Sequence, residues 1–166
     1  MTTLARRTTH GHHGEIVVFL IGMRVRRWWR PDQWLPTLAA MGPMLTELYA
    51  AKAAFERGDG ADPGFLGARS FVGAGGPMVV QYWRSTEHLY AYASDPEAKH
   101  RPAWRAFNAR ARRVPGAVGV WHETYAVPAR GHESIYVDMP VVGLAEATSS
   151  VPVGRRGERA PERLAS

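Results

Sequence analysis

The stretch "VGVWHETYAV", Val118 to Val127, decides the fold. Val118, Val120, Trp121, Thr124, Tyr125 and Val127 pack well on a pleated surface, so the run reads as a β-strand. Alternation puts Val118, Val120, His122, Thr124 and Ala126 on one face, with Trp121, Glu123, Tyr125 and Val127 on the other. Upstream, Glu15 to Val25 contains the nearly continuous apolar run "IVVFLIGM", the pattern of a strand buried on both faces. Pro31–Asp32 opens a helix carrying Trp34, Leu35, Leu38, Met41, Leu45, Leu48 and Tyr49. Gly42–Pro43 is expected to kink or divide it.

After the loop "GDGADPG", Phe65 to Val72 and Met78 to Arg84 read as two strands joined by the turn "GAGGP". Ser85 is a suitable N-cap for a second helix from Thr86, interrupted at "SDPEAKH" and resuming to about Arg113. Downstream of the opening strand, "ESIYVDMP", Glu133 to Pro140, is one more extended segment. The order is β-α-β-β-α-β plus an extra C-terminal strand. That is a ferredoxin-like α+β arrangement, an antiparallel sheet with both helices on one face. The other sheet face also needs cover, and a second copy of the chain supplies it, so a homodimer is expected.

The domain is expected to span residues 15–148. Residues 1–14 and 149–166 read as flexible tails that the protein can lose, the second having little apolar content after Val153. "HGHHG", His10 to Gly14, holds good metal ligands, but a flexible tract offers no fixed geometry, so only adventitious binding is expected there.

At 166 residues and 45% hydrophobic content, the chain suits one globular domain. No apolar run is long enough for a bilayer, and the N-terminus lacks the apolar segment of a secretory signal, so a cytoplasmic location is expected. Without cysteine there is no disulfide, thiolate nucleophile or Cys-type metal site. The net charge of +6 is almost all arginine, the lysines being Lys52 and Lys99 alone. Arg24, Arg26, Arg27 and Arg30, interleaved with Trp28 and Trp29, form the one dense basic patch. Such a patch could hold phosphates or the carboxylates of a cofactor. The remaining arginines are scattered, which argues against nucleic acid as a partner.

Within the second helix, His100, Trp104, Phe107 and Ala111 fall on one stripe, while Arg101, Arg105 and Arg112 fall on another. Pro102 suggests a local break that leaves His100 at a helix start or bend. If the His122 face of the strand meets the helices, both histidines look into one helix–sheet space. Two imidazoles converging there suit a metal or a haem, one ligating and the other handling protons. Pattern alone favours the alternative, that each is a buried histidine satisfied by a backbone carbonyl. Glu123, of opposite parity, is expected in a structural ion pair.

"VVFLIGMRVRRWW", "VQYWRSTEHLYAYA", "HRPAWRAFN", "VGVWHETYAV" and "SIYVDMPVVGLAEAT" resemble consecutive motifs of a bacterial and fungal monooxygenase-like family. That resemblance covers about Gly14 to Val153 and implies a dimeric α+β barrel. A second resemblance is to the haem-dependent aldoxime dehydratases. "DPEAKHRPAW" is similar to their proximal-histidine helix through His100, and "VWHETYAVPARGHESIYVDMPVVGL" to their distal-histidine segment through Trp121, His122 and Glu123. The resemblance implies His100 as the iron ligand and His122 as the catalytic acid–base. Trp104 and Phe107 then become further cofactor-binding residues, and Arg24, Arg26 or Arg27 would pair with haem propionates. "FLIGMR" offers Gly22, Met23 and Arg24 where those dehydratases have a distal serine.

The expected function is a haem-binding enzyme acting on a small organic substrate, N–O compounds included, by oxygenation or dehydration. One alternative is a cofactor-free monooxygenase with Trp83, Trp104, Trp121 and Tyr125 lining an apolar pocket and His122 as base. Another is a non-catalytic dimeric protein that binds haem or another small molecule.

Overall fold

The computed structural model describes residues 6–166. Four strands form the main antiparallel sheet: β2 (Ile16–Val25), β3 (Phe65–Gly73), β4 (Gly76–Trp83) and β5 (Val118–Val127), in the order β3-β4-β2-β5. Helices α1 (Pro31–Ala39) and α2 (Met41–Glu56) lie between β2 and β3, and α3 (Thr86–Ser94) and α4 (His100–Arg113) between β4 and β5. The ferredoxin-like order is therefore the observed one. The first helix breaks at Ala40 rather than at Gly42–Pro43. Pro43 has no N–H for the carbonyl four residues back, so it fits the first turn of α2 and the break falls upstream of it. Ser85 caps α3, its Oγ accepting from the His88 N–H.

One sheet face carries Val17 and Phe19 of β2 with Trp83 of β4. These pack with Leu48 of α2, Phe65 of β3 and Leu89 of α3 to form the main core. Trp83 is fully buried, its ring edge-to-face with Phe65 at 5.3 Å and its Nε1 donating to Gln81 at 2.9 Å. The expectation that Trp83 lines a pocket is therefore corrected: the indole is core, and its one donor is satisfied inside the sheet.

The opposite face is covered at one end by the chain itself. Leu144 and Ala147 of α5 (Gly143–Ala147) pack on Ile16 and Leu66, with Val18, Tyr82 and Val127 at the margin. Beyond that cover, Trp121 (38% exposed) and Tyr125 (51% exposed) remain open on the edge strand β5. The Trp121 indole lies across Gly22, where an added Cβ would meet ring atoms at 2.7 Å. Glu123 forms no ion pair there. It accepts instead from the Tyr125 hydroxyl at 2.7 Å, two residues along the same strand face, and this raises the Tyr125 pKa. That corrects the expected structural ion pair.

The two flanks expected as tails are paired to one another. β1 (Arg7–His10) forms a second sheet with β6 (Tyr136–Val137) and β7 (Ser150–Pro152), in the order β6-β1-β7. After a 3-10 turn at Val153–Arg155, α6 (Ala160–Ala165) closes the chain. Of the segment "ESIYVDMP", only Tyr136 and Val137 pair as strand. The physical reason for the ordered flanks is a buried polar network, not an apolar core. His10 has no exposed surface; its Nδ1 meets Ser134 Oγ at 2.7 Å and its Nε2 meets His132 Nδ1 at 2.9 Å. His132 Nε2 donates to Gly14 O at 2.8 Å. Buried Arg156 contacts His10 Nε2 and donates to the carbonyls of His12 and Arg163. Arg163 Nε pairs with Glu133 at 2.8 Å. The domain boundary at 148 moves outward accordingly, while the first five residues of the expected N-terminal tail lie outside the described residues.

Candidate active site

On the helix side of the sheet, near the end of β2 that leads to α1, lies a cavity of about 440 Å³. That volume is in the usual range for small-molecule sites, about 300–1,000 Å³. Ile21 and Met23 of β2, Val79 of β4 and Val120 of β5 form its floor, and Leu38, Met41, Met44 and Leu45 of α1 and α2 form one wall. The opposite wall is α4, through His100, Ala103, Trp104 and Phe107. Trp104 and Phe107 stack with ring centroids 5.4 Å apart, giving a flat aromatic surface. The expected helical stripe is thus the cavity wall. Among the lining residues the polar side-chain groups are those of Thr37, Ser70, His100 and the Trp104 indole N–H.

His100 is the first residue of α4, as Pro102 leads one to expect. Its Nε2–H donates to the Ala93 carbonyl at 2.8 Å, and its ring lies 5.1 Å from that of Tyr92. Nδ1 is buried without a hydrogen-bond partner. An imidazole that donates one ring N–H to a carbonyl keeps a lone pair on the other nitrogen. Leaving that lone pair buried and unanswered costs about 1–3 kcal/mol.

His122 stands on the helix-facing side of β5, since its register partner Ile21 and its neighbour Val120 both line the cavity. The parity expectation therefore holds. Because β5 is an edge strand, however, His122 is exposed and flanks the cavity instead of lining it, its ring 5.6 Å from Phe19. The two histidines share a face without touching.

Arg24 is not brought to this cavity. It follows Met23, which lines the cavity, so alternation sends its exposed side chain to the opposite sheet face. The expectation that Arg24 binds a cofactor beside His100 is corrected by that parity. Arg30 is engaged by Asp32 through two hydrogen bonds of 2.8 and 2.7 Å, which hold the Asp32 carboxyl far below the usual range. Trp121 and Tyr125 are likewise on the far face, so of the four aromatics expected to line a pocket only Trp104 does so.

One residue that sequence reasoning missed is Arg110 of α4, which donates through Nη2 to Thr37 Oγ1 at 3.2 Å. Its Nε is buried with no partner. Nothing in "RAFNARARR" separates Arg110 from its neighbours except helical phase, which puts it on the side of Ala103. Among the described residues no helix is long and apolar enough to cross a membrane, and no cluster of three His, Asp or Glu side chains forms a metal site.

Comparison with known proteins gives a family and a fold. The family model described as monooxygenase af470-like matches residues 16–144. Monooxygenase af470 of Aspergillus fumigatus is 27% identical over 143 residues, 78% of this chain and 46% of the relative. The chain therefore spans about half the length of that curated relative. Among solved structures, an aldoxime dehydratase (OxdRE) in complex with butyraldoxime superposes with a TM-score of 0.57 at 15% identity, covering 82% of this chain and 38% of the other. A conserved protein of unknown function from Bacteroides thetaiotaomicron aligns with a TM-score of 0.34 at 12% identity, over 69% of this chain and 98% of the other.

Proposed function

The chain belongs to the monooxygenase af470-like family, and from that premise we propose that it is a small-molecule enzyme. Its substrate enters the apolar cavity beneath α4, haem is held there by His100, and His122 moves protons at the cavity edge. The observation that carries this reading is the environment of His100. Metal-ligating histidines nearly always donate their other ring N–H to a carbonyl or carboxylate, which fixes the tautomer and raises ligand basicity. His100 makes such a bond to Ala93 O and has an unanswered nitrogen on a wall that is otherwise almost wholly apolar. The stacked Trp104–Phe107 pair suits a flat macrocycle.

The residues present therefore fit a haem. When bound, haem supplies an iron with an open position at which a substrate nitrogen or oxygen can be activated. The rest falls to the protein. The apolar lining excludes water and selects a small organic substrate. Converting an N–O substrate such as an aldoxime to a nitrile and water requires a proton at the departing hydroxyl oxygen and removal of one from carbon. His122 can handle protons because its exposed ring exchanges them with solvent, and a positioned acid–base of this kind contributes about 10²- to 10⁴-fold.

The test is haem titration of the purified protein followed by addition of butyraldoxime, the ligand of the aldoxime dehydratase structure. A Soret band that shifts with butyraldoxime is expected. His122→Ala should keep the band and lose about 10²-fold or more in turnover. A Soret band that stays that of free haem sinks the haem reading and leaves a cofactor-free monooxygenase working in the same cavity.

We also propose that two copies pair through the uncovered part of the sheet around Trp121 and Tyr125. This apolar patch, on the open edge strand beyond the cover of α5, is where the fold lacks a second layer. Trp121→Glu should convert a dimer to a monomer in analytical ultracentrifugation, while an already monomeric wild type removes the proposal.

A further inference from the structure

We propose that Arg110 forms an anion subsite at the end of the cavity remote from His100, so that the cavity takes an apolar ligand bearing a carboxylate. Two observations at different atoms carry this. Arg110 Nε is buried and unpartnered. Its Nη2 donates to the hydroxyl of Thr37, a residue that lines the cavity, so the guanidinium lies against the cavity's edge at Thr37. The cavity wall has no Lys, Arg, Asp or Glu of its own, and no carboxylate among the described residues forms a salt bridge with Arg110.

A guanidinium presents a planar fork of five donors that matches a carboxylate in two parallel bonds. In Arg110 one of those donors already lacks a partner, so an entering carboxylate answers it. Ten residues of helix separate Arg110 from His100, about 15 Å along the axis. The body of the ligand would lie along Ala103, Trp104 and Phe107 between them. Thr37 serves as the hinge of the subsite. Its hydroxyl donates back to Gln33 O at 3.3 Å and accepts from Arg110, which holds the guanidinium in place before the ligand arrives.

This inference goes beyond the proposed enzyme and stands without it. The carboxylate could belong to a free fatty or aryl acid or to a haem propionate, and the two sources separate in one experiment. Decanoate, decanol and decylamine are titrated into the full chain, with calorimetry as the readout, for wild type, Arg110→Met and Arg110→Lys. Haemin and its dimethyl ester are titrated in parallel.

Decanoate should bind wild type about 10- to 100-fold more tightly than decanol. Arg110→Met should erase that margin without changing decanol affinity, and Arg110→Lys should restore part of it, because it keeps the charge and loses the fork. If haemin, but not its ester, weakens alongside decanoate in Arg110→Met, the carboxylate is a propionate. If decanoate alone weakens, it is a free acid. Equal affinity of wild type for decanoate and decanol overturns the subsite, as does equal loosening of both by Arg110→Met. A wild type that ignores haemin but keeps its preference for decanoate ends the haem reading and leaves this one standing.

Discussion

Lowering the pH from 6.5 to 5.0 is expected to cost the protein about 1.7 kcal/mol of stability through His10 alone. The imidazole has no exposed surface, and burial first, then the charge of Arg156, then His132, depress its pKa to about 3. The hydrogen bonds agree with a neutral ring. Arg156 Nη1 donates to His10 Nε2, so the ring proton sits on Nδ1 and is donated to Ser134 Oγ, which also accepts the His10 backbone N–H. His132 Nε2–H donates to Gly14 O, and its Nδ1 lies 2.9 Å from His10 Nε2. A proton added to His10 Nε2 displaces the Arg156 donor and stands beside the guanidinium. His132 is depressed in the same direction, again mainly by burial.

The unfolded chain binds that proton near pH 6.5 and the folded chain refuses it. Stability is therefore full above about pH 6.5 and falls with pH down to about 3. The interval from 6.5 to 5.0 lies above the carboxylates and isolates the histidines. Urea unfolding across it should give a steep line for wild type. For His10→Asn the slope should fall to the smaller part that His132 contributes, starting about 2–3 kcal/mol lower at neutral pH because the buried chain is broken. Parallel lines for the two proteins would remove His10 as the source.

That same network explains which parts of the fold could be read from the sequence. The order of strands and helices, the Ser85 cap and the start of α4 at His100 all rest on apolar period and on capping chemistry, which act over a few residues. The flanks do not. β1 is four residues, "RTTH", whose partners Tyr136–Val137 and Ser150–Pro152 lie more than a hundred residues away. It is held by Ser134, His132 and Arg156, residue types that ordinarily mark exposed loops. A hydropathy pattern has nothing to register there.

The candidate site divides similarly. Parity placed His122 on the correct face, but its exposure follows from β5 being an edge strand, and strand order is a tertiary fact. Arg24 could have been separated from His100 by the same parity applied from Met23. Arg110 could not have been found, because only contact with Thr37 distinguishes it from the other arginines of α4.

His100→Gly should replace the ligated Soret band of the haem-loaded protein by that of free haem, and added imidazole should restore the ligated band. Loss of an outer-shell partner typically costs metal affinity about 10- to 100-fold, and loss of the ligand itself should cost more. The variant is informative because its stability cost is expected to be small for a cavity-wall residue. Removing the ring forfeits one hydrogen bond to Ala93 O, worth about 0.5–1.5 kcal/mol, but also removes a buried nitrogen that had no partner. Those terms oppose one another. Glycine at the first position of α4 adds a penalty smaller than it would in the helix interior. A folded protein without the ligated band therefore reports ligation and not collapse, and circular dichroism checks the fold independently.

Rescue by imidazole separates ligation from a general effect on the cavity, since free imidazole returns the nitrogen but not the side-chain packing. If His100→Gly keeps an unchanged spectrum, the unanswered nitrogen of His100 is not the haem ligand. His122, the other imidazole on that sheet face, then becomes the residue to replace. If instead the ligated band disappears and imidazole restores it, the bond from His100 to Ala93 O predicts a second effect. Moving that carbonyl should shift the band without removing it, because it orients the ring and does not touch the metal. Ala93→Pro, which distorts the C-terminal turn of α3 where that carbonyl sits, makes this measurable.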